Sequence, residues 1–171
     1  MRTLIVCESL FGNTEAIARA IADGISPFGE VDVVAPSDAG PDRVANVDLL
    51  VVGAPTHAWG LPRRRSWAPD GQVVEHDGPF VRSWLRELAD GDGRPSAAFA
   101  TRLDKPRMLT GSASGSIATG LRRRGWTVVV APESFVVTGT EGPLGVGELD
   151  RAEAWGAELG TRSGADSAFP R

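Results

Sequence analysis

The chain has 171 residues, of which 42% are hydrophobic and 23% charged, and this is the composition of one globular domain. Its net charge of −4 gives no electrostatic reason to expect nucleic-acid or bilayer binding. No apolar run is as long as the about 18 residues that a membrane-spanning helix needs. The amino terminus lacks the pattern of a signal peptide. The single cysteine, Cys7, cannot form an internal disulfide, so we expect a cytoplasmic protein.

Five short apolar runs alternate with helical patterns along the chain. The runs cover residues 3–7, 31–35, 47–52, 97–100 and 126–130, and the last continues at 135–137. Runs of this length without polar alternation are typical of parallel strands that are covered on both faces. Pro132 interrupts the fifth run, where it predicts a bulge or kink.

The helical patterns fill the gaps between these runs. Asn13 is expected to cap the first helix, which carries Ile17, Ile21 and Ile25 on one face. Further helices are predicted at 79–88, 112–124 and 148–159, while the pattern at 38–46 leaves a helix there open. This alternation predicts a doubly wound parallel sheet in one domain, residues 1–160, followed by a flexible tail at 161–171.

Ligands of such sheets bind beyond the carboxyl ends of the strands, where the strand order reverses. The loops after strands one, three and four are therefore the candidates. The first consists of Ser9, Leu10, Phe11, Gly12, Asn13 and Thr14. The side chains of Ser9, Asn13 and Thr14 can donate hydrogen bonds, and the amides of residues 11–14 lie at the start of a predicted helix. Gly12 would let a ligand approach the backbone closely. Because no Lys or Arg lies within residues 4–18, the loop predicts an anion site made of neutral donors.

Other phosphate-binding patterns do not match this loop. A nucleotide P-loop requires Gly-Lys-Ser/Thr, and the dinucleotide fingerprint requires three glycines. A cysteine phosphatase needs a cation after its nucleophile, whereas Asn13 stands six residues beyond Cys7. A phosphorylatable receiver domain needs clustered aspartates, but the third strand ends in Gly53 and Ala54. We interpret Cys7 as a buried strand residue.

Residues 5–14 resemble the flavodoxin signature, in which a strand leads into Thr/Ser-x-Thr-Gly-x-Thr. Ser9, Gly12, Asn13 and Thr14 match it. Phe11 stands where the family has Thr or Ser, and the missing hydroxyl would cost about 0.5–1.5 kcal/mol in phosphate binding. The resemblance implies a flavodoxin-like three-layer α/β sandwich, with a five-stranded parallel sheet of order 2-1-3-4-5, that holds one FMN non-covalently.

The resemblance extends to the two other loops. The second is Pro55, Thr56, His57, Ala58, Trp59 and Gly60. Thr56 matches the family's Thr. The chain has no Tyr, which is the common stacking residue of the family, so Trp59 or else His57 would flank the isoalloxazine ring. In the third loop, Thr101 would bond to the pyrimidine edge of the ring and Arg102 would stabilise negative charge on the reduced flavin.

The resemblance implies an electron carrier that serves redox partner proteins. No nucleophile–base pair, carboxylate pair or metal-ligand spacing suggests catalytic or metal-binding residues. The alternatives are an FMN-dependent NAD(P)H:quinone or flavin reductase, and a flavodoxin-shaped module without cofactor, which only Phe11 favours. Arg63, Arg64 and Arg65 form either a solvated basic stretch or a docking patch for an acidic or phosphorylated partner.

Overall fold

The computed structural model describes residues 1–56, 61, 65–67, 73–75, 80–104 and 113–166. The strands are β1 Arg2–Cys7, β2 Glu30–Val34, β3 Leu49–Pro55, β4 Arg65–Trp67, β5 Val73–Glu75, β6 Pro95–Leu103, β7 Thr127–Val128 and β8 Glu133–Val137. The helices are α1 Asn13–Ile25, α2 Pro41–Ala45, α3 Val81–Glu87, α4 Ala113–Arg123 and α5 Glu148–Asp166, with 3₁₀ turns at Ser26–Phe28 and Pro36–Asp38.

The main sheet has the strand order β2-β1-β3-β6-β7, and β8 also pairs with β6. All of its pairings are parallel. Since β7 and β8 share the fifth position, this is the predicted order 2-1-3-4-5, with the fifth strand broken around Pro132 as predicted. The described parts of the segment between β3 and α3 include a short antiparallel hairpin, β4 and β5, which the apolar pattern did not indicate.

Helices cover both faces of the sheet and make the predicted three layers. On one face, α1 and α5 enclose a core that includes Ile17, Ile21 and the aromatic trio Phe99, Phe135 and Trp155. The ring centroids of this trio lie 6.3–6.4 Å apart in edge-to-face contacts. On the other face, α3 and α4 enclose a second core. Its members include Leu85, Ile117, Leu121 and Trp126.

Two glycines allow the backbones of α1 and α5 to touch. A Cβ built at Gly156 would overlap the carbonyl oxygen of Ile21, and one at Gly24 would overlap that of Glu153. Beyond these glycines, α5 continues to Asp166 and buries Ser163. The helix therefore passes residue 160, where the tail was predicted to begin; residues 167–171 lie outside the described part of the chain.

One local feature differs from the sequence interpretation, and one that was left open is now described. Gly12, not Asn13, precedes the first turn of α1, and Asn13 is already the first helical residue. The segment at 38–46, left open from its pattern, contains the single turn α2. Within the described residues, no helix has the length and apolar character needed to cross a membrane.

Candidate functional site

The carboxyl ends of β1, β3 and β6 bring the described parts of the three predicted loops, residues 9–14, 55–56 and 101–102, to one edge of the sheet. The amide of Glu8 donates to the carbonyl of Gly53 at 3.0 Å, and the amide of Thr56 donates to the carbonyl of Thr101 at 2.7 Å. The hydroxyls of Thr14 and Thr101 lie 2.8 Å apart and share a hydrogen bond. The start of α1 is thus tied directly to the end of β6 across the sheet.

Gly12 lies at the open point of the first loop. Its φ of 82° is in the left-handed region that favours glycine, and apart from its chain neighbours no atom lies within 4 Å of a Cβ built there. In the part of the chain that the structure describes, the backbone amides of residues 10–14 donate no hydrogen bond. The Ser9 hydroxyl accepts from the amide of Glu15 at 3.2 Å and keeps its own hydrogen to donate. This loop has the donors and the open space that an anion requires.

Asn13 and Thr14 brace the loop from its inner side. The Asn13 side-chain amide donates to the carbonyl of Glu141 at 2.9 Å, and a Cβ at Gly142 would come within 2.7 Å of its Oδ1. Thr14 is 2% exposed, with its hydroxyl shared with Thr101. These contacts hold α1 in place, and the direct contact of either side chain with a phosphate stays a prediction.

The residues expected around the flavin ring are described only in part. Pro55 ends β3 half-buried, and the Thr56 hydroxyl accepts from the amide of Ala113 at 3.4 Å. Thr101 is 3% exposed at the end of β6. The second loop's remaining residues, His57, Ala58, Trp59 and Gly60, lie outside the described residues, so the ring wall stays a prediction.

Arg102 acts electrostatically on the start of α5. Its Nη1 donates to the carbonyl of Leu103 at 3.2 Å. The pKa of the Glu148 carboxyl is lowered, although burial alone would raise it. The lowering comes from hydrogen bonds donated by Arg151 and the Val136 amide, and from the positive charges of Arg151 and Arg102. The expected role of Arg102 at the flavin's pyrimidine edge stays a prediction.

Glu8 is a residue of this edge that the sequence analysis did not single out. It is 7% exposed, and its Oε2 accepts from the amide of Val81 at 3.0 Å. Its Oε1 has no partner among the described residues. Burial raises the pKa of Glu8 to about 7, against the smaller opposing effects of the Val81 amide and the Arg82 charge. A carboxyl directly before the predicted anion loop was visible in the sequence, but its partner at the start of α3 was not.

Of three comparisons with known proteins, only the comparison with solved structures found matches. No family model matches it. No curated protein matches it either. A flavodoxin from the domain Archaea is 21% identical, covers 95% of this chain and 99% of its own, and has a TM-score of 0.67. Flavodoxin 2 from Bacillus cereus is 18% identical over 98% of this chain and 99% of its own, with a TM-score of 0.69.

Part of a larger protein has the same architecture. The rubredoxin oxygen:oxidoreductase from Desulfovibrio gigas is 15% identical, with a TM-score of 0.72 over 98% of this chain and 37% of its own length. With the parallel sheet order, these similarities establish a flavodoxin-like fold. All of them lie below 25% identity, so they concern the fold alone.

Proposed function

We propose that the protein binds one FMN non-covalently and carries electrons between redox proteins of the cytoplasm. The observation that carries this proposal is the open loop at Gly12, whose amides have no partner within the described ranges and which contains no cation. Bound there, FMN would supply the ability to accept and release electrons. The flavodoxin-like fold supports the proposal, because flavodoxins are among the solved structures that share it.

The phosphate would be held by neutral donors at the amino terminus of α1. These are the Ser9 hydroxyl and the backbone amides of residues 10–14, where the helix dipole also favours an anion. The hydrogen bond between Thr14 and Thr101 would keep the loop in place before the ligand arrives. Preorganised donors need little rearrangement on binding, which favours affinity.

The ring would occupy the space between the second and third loops. Pro55, Thr56, His57, Ala58, Trp59 and Gly60 would form one wall, with Trp59 as the stacking residue. Thr101 and Arg102 would face the pyrimidine edge, where a positive charge stabilises the reduced ring. The half-exposed Phe11, with 50% of its surface accessible, would remain near the cofactor without closing the loop.

Replacing Gly12 tests the proposed cradle. In Gly12→Val, the new side chain enters the open space and strains the left-handed backbone, so the amides lose the phosphate. We expect FMN affinity to fall at least about 100-fold, the equivalent of losing two charge-assisted hydrogen bonds. Quenching of FMN fluorescence during titration with the protein measures this affinity.

Gly93 offers a matched control for the backbone strain. It has a φ of 76°, no atom within 4 Å of a built Cβ, and lies before β6 at the opposite edge of the sheet. Gly93→Val should lose similar stability and retain FMN affinity. Unchanged FMN affinity in Gly12→Val, or equal losses in the two variants, would contradict the cradle.

A steady-state assay separates the proposed carrier from a reductase. With FMN bound and a quinone as acceptor, a carrier should oxidise NADH or NADPH at a rate close to that of free FMN. Rapid turnover that requires the protein would instead identify an NAD(P)H-dependent oxidoreductase.

A further inference from the structure

A basic groove lies between α3 and α4, on the face of the sheet opposite α1 and α5. It encloses about 600 Å³, within the range of small-molecule sites. Four arginines line it, Arg82 and Arg86 from α3 and Arg123 and Arg124 from the end of α4. None of the described residues that line it is acidic. This concentration of positive charge contrasts with the chain's net charge of −4.

The groove is built by the close packing of two helices. Gly120 on α4 faces Leu85 on α3, and a Cβ at Gly120 would come within 3.1 Å of the leucine's Cδ1. The glycine therefore lets the helices approach, while the apolar side chains of Leu61 and Leu85 contribute to the lining. Arg82 donates to the carbonyl of Leu61 at 2.9 Å, which fixes one guanidinium at the wall of the groove.

The other three arginines are not held in close ion pairs within the described part of the protein. Within the described ranges, Arg86, Arg123 and Arg124 form no ion pair. Arg86 lies one helical turn after Arg82, a spacing at which like charges repel. Arg123 and Arg124 are consecutive, so both sides of the groove concentrate positive charge. An anion between the helices would relieve this repulsion.

We infer that this groove binds a small ligand that carries a pyrophosphate group, either free or as part of a nucleotide. Guanidinium groups form paired, charge-assisted hydrogen bonds with phosphate oxygens, and two linked phosphates offer enough oxygens for several of the arginines that line the groove. A concave site of this volume suits a small molecule better than the flat, extended contact typical of a protein partner. None of the described residues that line the groove belongs to the loop of residues 9–14, so the inference does not depend on FMN.

Calorimetric titration at low salt tests the inference with three probes: inorganic pyrophosphate, ADP and adenosine. Pyrophosphate and ADP should both bind, and adenosine should not. Tighter binding of ADP than of pyrophosphate would identify a nucleotide as the source of the group, and equal binding would identify the free ion. If neither phosphate compound binds, the inference is wrong. Binding of a hexaglutamate peptide in their place would also overturn it and make the groove a docking surface for acidic proteins.

Two variants locate the binding. Arg86→Gln combined with Arg123→Gln should weaken pyrophosphate binding about tenfold or more, because two charge-assisted contacts are lost. The control combines Arg19→Gln with Arg162→Gln, which removes the same charge from exposed arginines on α1 and α5. Equal affinity in the two double variants would place any binding elsewhere, including at the loop of Gly12.

A single substitution guards against misfolding of the double variant. Thr119 is exposed on α4 and lines the groove, so Thr119→Glu introduces a negative charge without removing an arginine. Glu favours helices more than Thr does, which should preserve the fold. Pyrophosphate binding should be lost in this variant; if binding persists at full strength, the groove is not the site.

Discussion

Glu8 should make the stability of the protein fall as the pH rises from about 4.5 to about 7. The pKa of its carboxyl is raised from 4.5 to about 7, mainly by burial. Between these two values the folded protein holds a proton that the unfolded chain has released, so raising the pH favours unfolding. Below about 4.5 both states are protonated, and above about 7 the full cost of the buried charge remains. The rise in pKa corresponds to about 3 kcal/mol.

Glu8→Gln should remove this dependence. The glutamine keeps an oxygen that can accept from the Val81 amide and stays neutral at every pH, like the protonated acid. Urea unfolding, followed by tryptophan fluorescence at pH 4.5 and pH 8, gives the free energy of unfolding for both proteins. Relative to wild type, the variant should gain about 3 kcal/mol between the two pH values.

An exposed carboxylate provides the control for Glu8→Gln. The Glu153 side chain is exposed, so Glu153→Gln removes one carboxylate and leaves the buried carboxyl of Glu8 in place. Parallel stability curves for wild type and Glu8→Gln would refute the reasoning, since they would mean that the pKa of Glu8 is the same in the folded protein and in the unfolded chain.

Further predictions follow from the packing and the site. Gly156→Ala should lower the free energy of unfolding by about 1–3 kcal/mol, because the new methyl group would overlap the backbone of α1. Gly40→Ala is the control, since a methyl group there meets open space and should leave the free energy of unfolding nearly unchanged. Urea unfolding measures both variants. Thr101→Val should cost about 1–3 kcal/mol in the same assay, since it leaves the buried Thr14 hydroxyl without its partner, and no loss would mean that this bond does not brace the loop. Trp59→Ala should change the absorption spectrum of bound FMN, and an identical spectrum would remove Trp59 from the ring wall.

The fold was predictable because three strands of the sheet, β1, β3 and β6, contain continuous apolar runs. Residues 3–7, 47–52 and 97–100 show no polar alternation, which is the pattern of strands buried on both faces. The first and third runs lie within β1 and β6, and residues 49–52 of the second lie within β3. The break of the fifth strand was also visible, since Pro132 lacks the amide hydrogen that a strand needs. The continuation of α5 past residue 160 was not, because Gly160 there packs directly against the ring of Phe28, a contact that composition does not reveal.

The sequence indicated which loops form the candidate site. It did not indicate the long-range contacts that hold these loops in place. Ser9 and Gly12 stand out because an anion loop requires donors and close approach. The bond from Asn13 to Glu141 spans 128 positions, and that between Glu8 and Val81 spans 73. Such contacts arise only once the chain has folded, so local pattern could not identify them.

The most direct test of the anion loop compares FMN with riboflavin, which differs only in lacking the phosphate. Fluorescence titration of the full chain with each should give an affinity for FMN at least about 100-fold higher, because the amides at Gly12 have no bond to make with riboflavin. Equal affinities, or no binding of FMN at all, would contradict a phosphate held by the loop of residues 9–14.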